Sequence, residues 1–243
     1  MTVQILKDHQ ELSEFVATAI LHQVMQKPDS VICLASGDTP KLAYEMAAEK
    51  CQEQQISFEK VRFLGFDEWV GIPVEIPGNC GQFLMKTIFI PLGIPEKHIC
   101  LFDSMATDLE KECRKMDAAI EKLGEIDLMV VGIGMNGHIG FNEPGVSTHL
   151  KSHVAILHET TRSVGQKYFN QIAPLETGLT LGLQHIRDAK KVILMANGLH
   201  KKDIIKKTLE NEISKNIPAS LLRRLDNSLV LLDQDAASSL AAK

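Results

Sequence analysis

The sequence has no long apolar run, no CxxC pair and no excess of positive charge. No stretch approaches the roughly 20 apolar residues that a membrane-spanning helix needs. Lys7, Asp8, Glu11 and Glu14 stand where a cleaved leader would need an uninterrupted apolar core. The five cysteines, Cys33, Cys51, Cys80, Cys100 and Cys113, are odd in number and widely spaced. That spacing gives no support to zinc-knuckle or thioredoxin-type motifs and fits free thiols in a reducing compartment, so a cytoplasmic protein is expected. Lysine and arginine number 26 against 31 acidic residues, a net charge of −5. Such a balance argues against a nucleic-acid coat or a protein that clings to anionic membrane. Internal repeats, low-complexity tracts and a linker are also missing.

What is present is an ordinary globular balance, 44% hydrophobic and 23% charged. A chain of 243 residues can bury a core without disulfides or a structural metal, and one domain over residues 1–243 is expected. Leu12, Phe15, Val16, Ile20 and Val24 recur at helical spacing, which predicts an amphipathic helix over about 10–27. Val31 to Ala35 is a short apolar run suited to a strand covered on both faces. Thr39 is positioned to cap a following helix, with Pro40 in its first turn. Further apolar runs at 61–66, 126–131, 191–196 and 228–232 predict strands, and Thr107 and Gly124 bracket a helix between them. Residues 70–81 suggest a long loop, and the tail from Asp233 is expected to fray. Strands alternating with helices mean parallel βαβ units, an α/β protein with its sheet covered on both faces.

In such sheets ligands collect beyond the carboxyl ends of the strands. Four unusual segments each follow an expected strand. Ser36-Gly37-Asp38-Thr39-Pro40 can present free backbone N–H groups and a helix dipole to an anion, or can be a plain capped turn. The GxxxxGK(S/T) spacing of a nucleotide-phosphate loop is absent. Asp67-Glu68 are adjacent carboxylates beside the single tryptophan, suited to proton transfer if their pKa values are moved apart, or else a solvated acidic turn. Gly132 to Glu143 spells GxGxxG, with Glu159 at roughly the distance a dinucleotide fingerprint asks. Yet the chain continues through Gly140 and Asn142 to Pro144-Gly145, which opposes the long helix that fingerprint requires. These glycines are better used for close approach to a small ligand, with His138 exchanging protons and Glu143 orienting it. His138 hydrogen-bonded inside a tight loop is the structural alternative. Lys201, at the start of a lysine-bearing helix, can meet an anion held by residues 36–39 or can be a solvated surface charge. His149, His153 and His158 invite a metal reading, but a strand over 153–157 would point 153 and 158 to opposite faces. No catalytic metal is expected.

Taken in order, SGDTP at 36–40, FDEWVG at 66–71, GIGMNGHIGFNEP at 132–144 and TLGL at 180–183 resemble the glucosamine/galactosamine-6-phosphate isomerase (deaminase) family, which also includes the 6-phosphogluconolactonases. The likeness spans about Val31 to Leu232. It implies a three-layer α/β/α fold with a mostly parallel sheet of modified Rossmann-like topology. It further implies a hexosamine 6-phosphate as the small-molecule partner, with no organic cofactor. By that resemblance, Ser36, Gly37 and Thr39 cradle the phosphate, with Lys201 and Lys167 adding charge, and Gly134 lies against the substrate. His138, assisted by Glu143, opens the sugar ring. Asp67 then moves a proton between C2 and C1, and Glu68 positions the substrate or Asp67. Ammonia leaves and a ketose 6-phosphate remains. Asn136 is a departure, since glucosamine-6-phosphate deaminases typically carry Asp there. With DEWVGIP, PGNC and IPASLL, it makes the chain most like the galactosamine-6-phosphate branch, whose product is tagatose 6-phosphate. Glucosamine-6-phosphate deaminase and 6-phosphogluconolactonase are the enzymatic alternatives, and a non-catalytic sugar-phosphate sensor is the binding-module alternative. Val146, His153 and Ala155 stand where some deaminases bind an allosteric amino sugar, so no such activation is expected. Family relatives occur as monomers and as hexamers, which leaves a homo-oligomer open.

Overall fold

Val31-Ile32-Cys33-Leu34 is buried at every position, and the two-residue period of a strand sends its side chains to two different cores. Val31 and Cys33 join one apolar cluster, while Ile32 and Leu34 join another on the opposite face. Met129 and Val131 against Leu128 and Val130 repeat this division, as do Val192 and Leu194 against Ile193 and Met195. A sheet hydrophobic on both faces must be covered on both, and that requirement generates the three layers.

A computed structural model describes residues 1–241. Ten strands are assigned among them: β1 Thr2–Leu6, β2 Val31–Leu34, β3 Arg62–Gly65, β4 Asp67–Trp69, β5 Ile99–Cys100, β6 Leu128–Gly132, β7 His153–Ile156, β8 Thr177–Thr180, β9 Val192–Ala196 and β10 Ser228–Asp233. The helices are α1 His9–Gln26, α2 Asp38–Gln54, α3 Cys80–Leu84, α4 Leu109–Leu123, α5 Glu159–Gly165, α6 Leu183–Asp188, α7 Lys202–Glu210 and α8 Gln234–Ala237. Seven strands form a parallel sheet in the order β1-β10-β9-β6-β2-β3-β5. The strand order reverses between the neighbours β2 and β6: β3 and β5 are added on one side of β2, and β6, β9 and β10 on the other. The expected mostly parallel α/β/α architecture is therefore present, and this reversal opens a crevice beyond the carboxyl ends of the two strands. None of the described helices is long and apolar enough to cross a membrane.

Several local expectations need correction. Asp67 and Glu68 do not form the solvated acidic turn that the sequence also allows: residues 67–69 form β4, which pairs antiparallel with β8, and β8 with β7, in a separate three-stranded sheet. The tail from Asp233 was expected to fray, but over residues 233–237 it is held in place, and residues 242 and 243 lie outside the described residues. The Asp233 carboxylate accepts hydrogen bonds from Gly198 N at 2.9 Å and Ala236 N at 2.7 Å, capping α8 and tying it to the turn after β9. Asp108, not Thr107, caps α4, accepting from Lys111 N at 2.9 Å. The N-terminal β1 carries too little apolar periodicity to be legible alone, and it exists because β10 offers it an edge.

Candidate active site

The crevice at the reversal point is a cavity of about 770 Å³. Its walls bring together Ser36, Gly37, Thr39, Asp67, Gly134 and His138 from turns far apart in sequence, and Lys167 and Lys201 complete it. Three of the expected residues lie elsewhere: Glu68, Asn136 and Glu143 do not line it.

One end gathers a helix start and two lysines, a combination suited to an anion. The start of α2 is aimed there, and its four leading N–H groups have no intrahelical acceptor. Thr39 does not cap the helix as expected. The cap is Gly37, whose φ of 133° is a backbone conformation that side chains rarely adopt. Thr39 sits one residue inside the first turn, and its hydroxyl donates to Asn197 Oδ1 at 2.7 Å, joining the turn after β2 to the turn after β9. Lys201 donates to the Ile133 carbonyl at 2.6 Å, which fixes its ammonium beside the cavity. Burial, and then the charge of Lys167, depresses its pKa to about 8. Lys167 pairs with the Asp38 carboxylate at 2.7 Å.

The other end gathers titratable groups. Asp67 is partly buried, and its Oδ1 is enclosed without a hydrogen-bond partner. Burial, reinforced by the charge of Glu68, raises its pKa to about 8. Strand alternation turns Glu68 to the opposite face, where it is 2% exposed. There its carboxylate accepts from Trp69 N at 2.8 Å, Cys80 N at 3.0 Å and Gly81 N at 2.8 Å. Burial raises Glu68 to about 7 against the pull of those donors. Glu68 thus clamps the start of α3 to β4 and does not line the cavity, so of its two expected roles the one that its place allows is toward Asp67 and not toward a substrate.

His138 reaches the cavity only because residue 134 is glycine: a Cβ there would meet the imidazole at 2.1 Å. Its Nδ1 lies 3.6 Å from Glu143 Oε2 and 3.0 Å from the Thr161 hydroxyl. Asn136 Nδ2 donates to the same Glu143 oxygen at 2.8 Å. Burial would raise Glu143, but hydrogen bonding and charge from His138, with Thr161 and Asn136 assisting, hold it at about 2. Glu143 and Asn136 therefore stand behind the histidine rather than in the cavity. Thr161 escaped sequence reasoning. It lies on α5, and no spacing links it to residue 138. Tyr168, His200 and Asp38 line the cavity and were likewise missed as site residues. Of the three histidines once weighed as ligands, His158 caps α5 and His149 lies against Arg187. His153 Nδ1 lies 3.0 Å from the Lys151 carbonyl.

Residues 7–231 match the family described as "Glucosamine-6-phosphate isomerases/6-phosphogluconolactonase". The chain belongs to this family. It is 36% identical over 244 residues to a protein of Clostridium botulinum (strain Hall) named glucosamine-6-phosphate deaminase, covering 100% of each chain. It is 35% identical to the protein of the same name from Thermoanaerobacter sp. (strain X514), covering 98% of this chain and 94% of that one. Among solved structures it is similar to a monomeric glucosamine-6-phosphate deaminase, with a TM-score of 0.95 and 34% identity, covering 98% of this chain and 100% of the other. A 6-phosphogluconolactonase from Trypanosoma cruzi, at TM-score 0.80, 19% identity and 99% and 97% coverage, shares the fold.

Two family motifs outside the cavity act as supports for it. Thr180, in TLGL, accepts a hydrogen bond from Phe141 N at 3.2 Å, and Asn142 Nδ2 donates to the Leu181 carbonyl at 2.8 Å. In IPASLL, Ala219 N donates to the Gly137 carbonyl at 2.9 Å. Both hold the loop that presents His138.

Proposed function

We propose that this chain is a hexosamine-6-phosphate isomerase/deaminase, a single sugar-phosphate domain releasing ammonia and a ketose 6-phosphate. The observation that carries the proposal is the enclosed, unpartnered Asp67 with a pKa near 8, facing the same cavity as His138 and an anion cradle. A carboxyl near 8 accepts and returns protons close to neutral pH. The phosphate anchors at the start of α2 between Lys167 and Lys201, which fixes the sugar carbons relative to Asp67. His138, backed by Glu143 and Thr161, protonates the ring oxygen and opens the pyranose. Asp67 removes the C2 proton and delivers it to C1. The resulting C2 iminium takes up water and expels ammonia. The substrate's own carbonyl and amine supply the electron flow, so these steps call on no cofactor.

Glucosamine 6-phosphate is the first substrate in this reading, because the relatives closely covered by the chain carry that name. The galactosamine expectation leaned on Asn136 together with DEWVGIP, PGNC and IPASLL, and Asn136 was its single departure from the deaminase pattern. That residue touches Glu143 and does not line the cavity, so it does not reach a sugar hydroxyl directly. Five free cysteines support a reducing, cytoplasmic setting. The test is ammonia release from glucosamine 6-phosphate and galactosamine 6-phosphate in parallel, with 6-phosphogluconolactone as control. Ammonia from the gluco epimer in preference is the expected result. Release from the galacto epimer alone reverses the epimer assignment. Acid from the lactone without ammonia from either amino sugar ends the deaminase reading.

A further inference from the structure

The anion end of the cavity contains a carboxylate. Asp38 is the first residue of α2, in the same turn as the cradle, and its Oδ2 lies 2.7 Å from Lys167 Nζ. Lys167 comes from the short turn Gln166–Tyr168 after α5, and its ammonium also stands 4.9 Å from the centre of the Tyr168 ring. The Tyr168 hydroxyl lies 3.9 Å from where a Cβ on Gly37 would sit, so this turn rests against the cradle. Both partners are well exposed, at 51% for Lys167 and 65% for Asp38. An exposed pair of this kind adds little to stability, which leaves its electrostatic effect on the cavity as the consequence that matters. The cradle holds two cations, Lys167 and Lys201, and the Asp38 carboxylate acts on both while pairing directly with Lys167 alone.

We propose that the Asp38 carboxylate is an internal counter-ion of the cradle: it holds Lys167 until a phosphoryl group arrives, and it must give that lysine up for the anion to bind. This rests on the phosphate reading of the cavity given above. Asp38 would then weaken substrate capture without touching the chemistry. The pair stands in water, which screens its attraction to a modest strength. Removing the competitor should therefore tighten phosphate binding roughly three- to tenfold.

The test is inorganic phosphate titrated into the wild-type chain and into Asp38→Asn, read as the rise in thermal midpoint with phosphate concentration. Asp38→Asn should need several-fold less phosphate for the same rise. In turnover it should lower KM for the sugar phosphate. Lys167→Ala supplies the decisive background. If Asp38 acts by occupying that lysine, Asp38→Asn gains little once Lys167 is gone. An unchanged or weaker phosphate response in Asp38→Asn overturns the proposal, and so does a gain that survives in full without Lys167. Phosphate binding is read without turnover, so failure of the deaminase assay and failure of this inference are separate results.

Discussion

Replacing Asp67 by Asn should make the protein more stable while it destroys the chemistry. The fold raises the Asp67 carboxyl from 3.8 to about 8, so the native state binds its proton more tightly than the unfolded chain does. A group of this kind leaves stability intact below about pH 3.8 and withdraws it progressively as pH rises to about 8. At 1.36 kcal/mol for each pH unit of difference, the full cost above pH 8 is at most about 6 kcal/mol. Asparagine has the same shape and no charge to desolvate. The Asn variant should match the wild type near pH 4. At pH 8.5 it should melt on the order of 10–20 °C higher. Its kcat should fall by on the order of 10²–10⁴ with KM nearly unchanged, because binding contacts remain and the proton carrier is lost. Thermal midpoints for both chains across pH 4–9, with ammonia release alongside, decide the matter. A stability difference that does not grow with pH would show that Asp67 is not held against its charge, and wild-type turnover would remove it from catalysis.

Other perturbations probe the remaining parts. Lys201→Ala should raise KM for the sugar phosphate at least tenfold with a smaller effect on kcat, and equal KM values would reject the phosphate assignment. Gly134→Ala would place a methyl group 2.1 Å from the His138 imidazole, so turnover should fall at least a hundredfold while the melting temperature changes little; a fully active variant would mean the histidine has another working position. Asn136→Asp would set a carboxylate where an amide now donates to Glu143 at 2.8 Å. The added negative charge beside the imidazole favours its protonated form, so the pH dependence of ring opening should move upward by about one unit. A pH–rate profile that stays in place would dismiss that coupling.

The balance between what was legible and what was not follows the range of the forces involved. Strand and helix positions in the main sheet could be read because a strand buried on both faces must be apolar at every residue, as at Val31–Leu34, and that is a local pattern. The motifs at 36–40, 67–68 and 132–143 could be read as chemistry because each gathers unusual residue types within a few positions. Their convergence at the β2/β6 reversal followed from topology alone. What local pattern could not supply was direction and partnership. Asp67 and Glu68 are chemically alike neighbours, and only the pairing of β4 with β8 turns one into the cavity and the other into the start of α3. Thr39 looked like a cap and became a cross-link to Asn197, 158 residues away. Asp233 looked like the start of a loose tail and became a buried cap. The sequence determined by itself which residue types were available for anion binding and proton transfer, since composition and spacing are covalent facts. Only the tertiary structure decided which of them share one solvent pocket, because burial, and with it each carboxyl's affinity for a proton, is set by atoms contributed from distant parts of the chain.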